Sequence, residues 1–301
     1  MIAQRQGVKS PDEIRDLIGN LTGLPSLPAV VPELLALLKD SDVSSRELAQ
    51  IIKKDPGLSL KILGIVNSSS YSFRDPVTTI DLAITLMGSR EINQVALGFA
   101  LVRTFKHVED AELNFYRFWQ HSTACAHMAS LLEKNLNLSI RGGAFTAALV
   151  HDVGKLALYL LEDEPYRGAC RLAAEQNCSI FEMEEELLGV THTQAGDWLA
   201  AAWGLPESIR QVIAWHHDPQ KCSDEDTRIL TSLIHVANMM TSLRAFDFGS
   251  GLLRFSPSDD YGWNKLMSVS KPDGVIDFER MMLGIEDEIE VIQEMTKLTL
   301  Q

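Results

Sequence analysis

Apolar residues recur along this chain at three- and four-residue spacing, and polar residues gather where each run begins. That period marks amphipathic helices with one face turned to a core. Ser10-Pro11-Asp12-Glu13 reads as a capping box with proline at the first helical position, leading into Ile14, Leu17 and Ile18. Ser44 to Glu47 opens a helix through Leu48, Ile51 and Ile52, stopped by Asp55-Pro56-Gly57. Ser179 to Glu182 opens another through Met183, Leu187 and Leu188, and Pro206-Glu207-Ser208 starts one carrying Ile209, Val212 and Ile213. A longer helical section begins near Glu112 with Phe115, Phe118, Trp119 and His121, and a last amphipathic helix is expected over 277–298. Strand signals are nearly absent. No Asn-Gly or Asp-Gly pair joins two alternating runs, although Asp273-Gly274 fits a turn. The predicted fold class is all-α.

The pattern divides the chain in three. Residues 1–110 carry short helices separated by proline-containing loops, such as Leu24-Pro25-Ser26-Leu27-Pro28 and Asp75-Pro76. Residues 111–245 carry longer helices and every histidine except His107. Residues 246–301 pair an irregular segment with the C-terminal helix. One stretch departs from amphipathicity. Gly143 to Val150 and Leu156 to Leu161 are apolar nearly all round, and between them stands His151-Asp152-Val153-Gly154-Lys155. Such a stretch is expected to be buried. Burying an imidazole, a carboxylate and an ammonium costs several kcal/mol unless they are paired, hydrogen-bonded or bound to a metal. Function is therefore sought at this point.

Composition sets the limits. With 301 residues, 46% hydrophobic and 23% charged, the chain has ample material for a core. Its longest uninterrupted apolar runs fall short of the ~20 residues that span a bilayer, and its N-terminus has no apolar stretch typical of a secretory signal. A cytoplasmic protein without membrane attachment is expected. A net charge of −14, with Lys53-Lys54 the longest basic run, argues against a nucleic-acid partner. Cys125, Cys170, Cys178 and Cys222 form no C-x-x-C pair and are expected as free thiols, Cys125 within the core.

Candidate ligands come from separate helical segments: His121, His151 with Asp152, His192, His216 with His217, and the segment Ile234-His235-Val236-Ala237-Asn238. Imidazole and carboxylate suit iron, manganese, zinc or nickel. None stands in a short pattern such as H-E-x-x-H, so only the fold can assemble a site, as helical bundles do. His107, His127 and His235 are read as ordinary core or surface histidines. Taken alone, His216-His217 fits a helix C-terminus favoured by the dipole.

In this order, His121, His151-Asp152 with Gly154-Lys155, His192-Thr193-Gln194-Ala195-Gly196 and His216-His217 resemble the HD superfamily of metal-dependent phosphohydrolases, with the HD-GYP phosphodiesterases nearest among active relatives. The N-terminal half narrows the likeness. Leu24 to Pro28, Asp55 to Leu63, Val66 to Tyr71 and Ile80 to Gly88 are similar to the HDOD module, the HD-related output domain. The resemblance covers residues 20–240. It implies an N-terminal helical bundle packed on an HD-like helical domain, in a bacterial signalling protein usually without catalysis.

Position by position, the resemblance implies two metal positions sharing Asp152. One is carried by His121, His151, Asp152 and Asn238, and is degenerate because an amide stands where active relatives have an aspartate. The other, Asp152, His192, His216 and His217, is complete. The Gly-Tyr-Pro stretch of active relatives is missing, since Asp218-Pro219-Gln220-Lys221 follows the histidine pair. Lys155 either contacts an anion, as in active relatives, or pairs with Asp152 or a helix-end carbonyl. The expected function is a non-catalytic signalling module that acts on a partner signalling protein and holds one divalent metal. A metal-dependent phosphohydrolase, in which Asp152 and Lys155 would do the chemistry, is the alternative; a purely structural helical protein with relict histidines is a third reading.

Overall fold

In the computed structural model, which describes residues 8–38, 44–67, 73–105, 114–138, 140, 143–243, 246, 248–249, 256–270, 278 and 289–300, the regular elements are helical. In chain order they are α1 (Pro11–Gly19), α2 (Val30–Leu38), α3 (Ser45–Lys53), α4 (Pro56–Val66), α5 (Ile80–Met87), α6 (Ser89–Thr104), α7 (Phe115–Asn135), α8 (Ala144–Val150), α9 (Val153–Leu161), α10 (Asp163–Gln176), α11 (Ile180–Leu188), α12 (His192–Ala202), α13 (Glu207–Trp215), α14 (Glu225–Ser242), α15 (Tyr261–Val269) and α16 (Ile289–Leu300). The all-α expectation holds.

Polar side chains start the helices where expected, because the first amide groups of a helix have no partner within it. Ser10 accepts from Glu13 N while Glu13 returns a bond to Ser10 N, completing the capping box of α1. Ser44 caps α3 through Glu47 N, Ser179 caps α11 through Phe181 N, and α13 starts directly after Pro206. Asp55 both ends the α3 connection and caps α4 through Leu58 N, with Pro56 at the first position. The expected C-terminal helix is seen as α16; residues 277 and 279–288 of that expectation lie outside the described residues, as do Asp273-Gly274 and the boundary near residue 110.

Helices α2 to α6 pack on one another as an N-terminal bundle, and α6 leans on α8. Around α8 and α9 gather α7, α12, α13 and α14, while α15 covers α14. One hydrophobic core runs through all of it. Phe99 meets Phe145 at 6.2 Å between ring centroids, and Phe105 meets Trp203 at 5.7 Å, so aromatic contacts tie residues before position 110 to residues well beyond it. Lys9 adds a polar tie by bonding Leu161 O (2.5 Å) and the buried Glu162 carboxylate (2.8 Å).

By length and composition alone, Ala144–Leu161 could cross a membrane, but 89% of that stretch is buried within the protein. It is also not one continuous helix. His151 and Asp152 form a turn between α8 and α9, with Asp152 at φ −99° and ψ 10°. The apolar flanks are thus the walls of the core, and the polar pair stands at the break between them. All four cysteines are free, Cys125 among the fully buried residues.

One acidic residue on this framework has a measurable pH signature. Burial, assisted by the neighbouring Glu91 carboxylate, pushes Glu133 on α7 up to about 7 from 4.5. The protonated form is favoured in the fold, so its contribution is complete below pH 4.5 and is lost as pH rises through about 7. A full shift of this size is worth about 3 kcal/mol, and partial exposure of Glu133 reduces the expectation to about 2 kcal/mol. Glu133→Gln is expected to remove that loss. Urea unfolding at pH 5 and pH 8 checks it, and an equal pH dependence in both proteins would contradict it.

Candidate metal centre

Thr191 fixes where α12 begins. Its hydroxyl accepts from Gln194 N while the Gln194 side chain accepts from Thr191 N (3.0 Å), a capping box that makes His192 the first helical residue. Helix α12 then crosses α9 with almost no side chain between them. A Cβ on Gly154 would lie 1.8 Å from His192 O and 2.6 Å from Gly196 N, and one on Gly196 would lie 2.5 Å from Ile213 Cγ2. The two glycines let backbone meet backbone, and the contact carries His192 to the α8–α9 turn. His121 arrives from the middle of α7, and His216 and His217 arrive from the C-terminal end of α13.

Asp152 is the centre of the cluster. Its Oδ1 lies 3.3 Å from His192 Nε2 and 3.5 Å from His216 Nε2. Its Oδ2 lies 2.7 Å from Lys155 Nζ, 3.4 Å from His151 Nε2 and 3.7 Å from His121 Nε2. His192 Nε2 is also 3.4 Å from His216 Nε2 and 3.2 Å from His217 Nε2. His121, His151, Asp152, His192 and His216 are all at most 1% exposed, whereas His217 stands exposed at the rim.

The far side of each buried ring explains this convergence. Nδ1 of His121 donates to Phe246 O (2.7 Å), that of His151 to Ala148 O (2.7 Å), and that of His216 to Ile213 O (3.0 Å). His192 Nδ1 donates to Glu184 Oε2 (2.7 Å), which also accepts the His192 backbone N–H (2.7 Å), while Glu184 Oε1 accepts from Tyr166 Oη (3.1 Å). A neutral imidazole that donates through Nδ1 offers its Nε2 lone pair. This backing is the usual support of a metal-ligating histidine.

Electrostatics agree. Burial alone would raise the Asp152 carboxyl, but the favourable electrostatics of the His151 ring and the Lys155 ammonium beside it overcome it and hold the group well below the usual carboxylate range. Burial pushes His151 well down, against the attraction of Asp152, and lowers His216 too. The result is an anionic carboxylate beside the neutral imidazoles of His151 and His216. Asp152 Oδ1 and His151 Nε2 are buried without a hydrogen-bond partner, an arrangement native interiors seldom leave uncompensated. Donor atoms of His192, His216 and His217 fall within 4.8 Å of one another, and so do those of His121, His151 and Asp152. The residues present fit a divalent cation of the imidazole- and carboxylate-binding class.

Of the residues expected from the sequence, the structure brings together His121, His151, Asp152, Lys155, His192, His216 and His217. Asn238 is buried on α14, where its side-chain oxygen accepts from Ser242 Oγ at 3.5 Å. Lys155 Nζ bonds Asp152 Oδ2 (2.7 Å) and Phe248 O (3.1 Å). His127 is buried on α7. His235 joins His216 O (2.7 Å) to Asp260 Oδ2 (2.9 Å), and Asp260 in turn caps α15 through Trp263 N (2.7 Å). His107 lies outside the described residues.

Sequence reasoning missed Glu184, Tyr166 and the carbonyls of Phe246 and Phe248. Glu184 hides in the run Glu184-Glu185-Glu186, which looks like a solvated face. Its spacing from Ile180 and Leu188, both on the buried face of α11, was the available signal. The two carbonyls belong to a segment whose composition marks only irregular chain, and backbone groups carry no sequence signal of their own.

The sequence profile of the HDOD domain matches residues 24–219. An uncharacterised protein of Treponema pallidum (strain Nichols) is 23% identical over 237 residues, which cover 78% of this chain and 45% of that protein; the chain thus spans less than half the length of this curated relative. Among solved structures, an HDOD domain protein of unknown function from Geobacter sulfurreducens is similar at a TM-score of 0.76 and 23% identity, covering 95% of this chain and 98% of that one. A protein of Marinobacter aquaeolei VT8, provisionally named for signal transduction, gives 0.73 at 21% identity over 98% of this chain and 63% of that one. A protein of Shewanella amazonensis SB2B, provisionally named a phosphohydrolase, gives 0.67 at 21% identity over 96% and 98%. At these identities the likeness establishes the fold alone.

Proposed function

The chain belongs to the HDOD family, and from that premise we propose that it is a bacterial, cytoplasmic signal-transduction module without catalysis, acting on a partner signalling protein. Its N-terminal helices carry the interaction, and the HD-like half holds one divalent transition metal on Asp152, His192, His216 and His217. Such an ion would neutralise the buried Asp152 charge and tie the α8–α9 turn to α12 and α13, a folding contribution rather than a chemical one. The observation that carries the reading is the burial of the donor set behind Lys155. With the five central residues at most 1% exposed, the site offers an ion a donor set, while the Lys155 ammonium at its edge is already engaged by Asp152 and Phe248 O.

The second reading, a metal-dependent phosphohydrolase, is favoured by the presence of two compact donor groups around one carboxylate, since two ions can clamp a phosphoryl transfer. Elemental analysis of protein purified without chelator, joined to assays with a generic phosphoester and with cyclic dinucleotides in added manganese or iron, separates the readings. The expected result is metal without turnover. Turnover that disappears in Asp152→Ala would establish the hydrolase instead. Asn238→Asp, which adds a carboxylate on α14, is expected to raise metal affinity at the other position, that of His121, His151 and Asp152, about tenfold, as an added charged oxygen ligand should. Unchanged affinity would mean that Asn238 is not a ligand position.

A further inference from the structure

The sequence marks His235 as an ordinary histidine, yet in the fold its ring stands between the end of α13 and the start of α15. Its Nδ1 donates to the backbone carbonyl of His216 (2.7 Å), and its Nε2 donates to Asp260 Oδ2 (2.9 Å). Both partners are acceptors, and an imidazolium ring donates to two at once. The carbonyl lies at the C-terminal end of α13, where helical carbonyls lack a partner within the helix. Asp260 is tied in turn to α15, because its Oδ1 accepts from Trp263 N (2.7 Å) and caps that helix. Gly262 permits the close approach. A Cβ there would lie 2.8 Å from His235 Cδ2 and 3.2 Å from Asp260 Oδ1. Helix α15 also packs on the turn Pro219–Lys221, which follows the histidine pair. Phe246 O, which accepts from His121 Nδ1 (2.7 Å), adds a second ligand-bearing helix to those that the chain beyond α14 reaches.

We propose that His235 is a positioning residue of the metal centre, fastening the His216–His217 end of α13 to α15 so that metal loading and the docking of α15 are coupled. The inference rests on the metal-binding reading above and goes beyond it by naming a residue outside the donor set and the helix that responds to the ion. The ring of His216 is braced within its own helix, through Ile213 O (3.0 Å). The backbone brace from His235 is what relates that helix end to α14 and α15. It thereby fixes where His216 Nε2 and His217 Nε2 stand, 3.5 Å from Asp152 Oδ1 and 3.2 Å from His192 Nε2. Such a coupling is reciprocal: docking of α15 favours the ion by the same factor as the ion favours docking.

The test is manganese(II) titration of the full chain, read by the electron paramagnetic resonance of the free ion. Amide hydrogen exchange of residues 261–269 is followed in the loaded and the metal-free protein. In the wild type, loading is expected to slow exchange across α15 about fivefold or more, the lower range for coupled sites. His235→Ala is expected to bind manganese about 10- to 100-fold more weakly, as loss of a group supporting a ligand does, and to lose the effect of loading on α15. His235→Asn places an amide nitrogen where Nδ1 stands and is expected to recover part of that affinity. A folded His235→Ala with wild-type affinity would overturn the proposal even if it unfolds in less denaturant, since a helix-end contact alone gives that result. So would a wild type whose α15 exchange ignores the metal. If His235→Ala does not fold, Gly262→Ala decides, because it keeps every polar group and sets a methyl against the His235 ring. It is expected to weaken metal binding and α15 protection together, and a change in neither overturns the proposal. A wild type that takes up no manganese would overturn the metal-binding reading and this inference with it.

Discussion

Gly154→Ala is expected to destabilise the protein by about 3 kcal/mol or more and to abolish metal retention. The added Cβ would lie 1.8 Å from His192 O and 2.6 Å from Gly196 N, and both obstacles are backbone. No rotamer change relieves them. Either α12 withdraws from α9 or the α8–α9 turn moves, and overpacking of a close-packed interior of this kind typically costs about 1–3 kcal/mol, more when the backbone must shift. His192 is the first residue of α12, so any withdrawal takes its ring from Asp152 and opens the Oδ1 side of the cluster. Gly168→Ala is the control. On α10 an added Cβ meets nothing within 4 Å, and alanine in a helix interior gains up to about 1 kcal/mol over glycine. Denaturant unfolding and metal content of the two variants check the contrast. A Gly154→Ala protein with wild-type stability and metal content would show that the α9–α12 contact is looser than described.

Asp152→Asn is expected to lower metal affinity by at least about 100-fold, since loss of even a supporting group costs 10- to 100-fold and Asp152 is the one carboxylate facing both donor groups. It is also expected to destabilise the metal-free protein by about 3 kcal/mol, because a buried ion pair that loses one partner leaves the other uncompensated. Here the survivor is Lys155, left with Phe248 O. The pH dependence has a definite sign. The Asp152 carboxyl is held below its ordinary value of 3.8, so it stabilises the fold above about pH 4 and loses that contribution as pH falls below its folded pKa. The acid limb of a stability–pH curve should therefore be shallower in Asp152→Asn. In the wild type, saturating metal at 1,000 times its dissociation constant should add about 4 kcal/mol that chelator removes. The variant should show no such chelator effect, and one of wild-type size would exclude Asp152 as a ligand.

The helical class was legible because it depends on local chemistry. Ser10, Ser44 and Ser179 cap the helices they were expected to cap, and Pro206 immediately precedes α13, since capping and proline placement involve residues two to four positions apart. The candidate ligands were legible one by one as polar residues in costly places, and together by the order in which they resemble the HD pattern. The stretch around His151 was expected to be a buried helix. It is buried, but it breaks at His151 and Asp152, and the break lets their side chains face the space shared with α7, α12 and α13. Glu184 escaped notice because charge runs usually face water, and only packing shows that Glu184 does not.

By itself the sequence determined the helical elements, the buried apolar stretch with its polar insertion, and the set of donor types, because each follows from periodicity or from the free energy of burying charge. The tertiary structure decided which nitrogen of each imidazole faces inward, that Lys155 is bound to Asp152, and that Glu184 supports His192. Those outcomes depend on residues as far apart as His121 and Phe246, or Gly154 and Gly196, meeting at atomic distance. No local pattern encodes such meetings; they are set when the apolar faces of separate helices find one shared core.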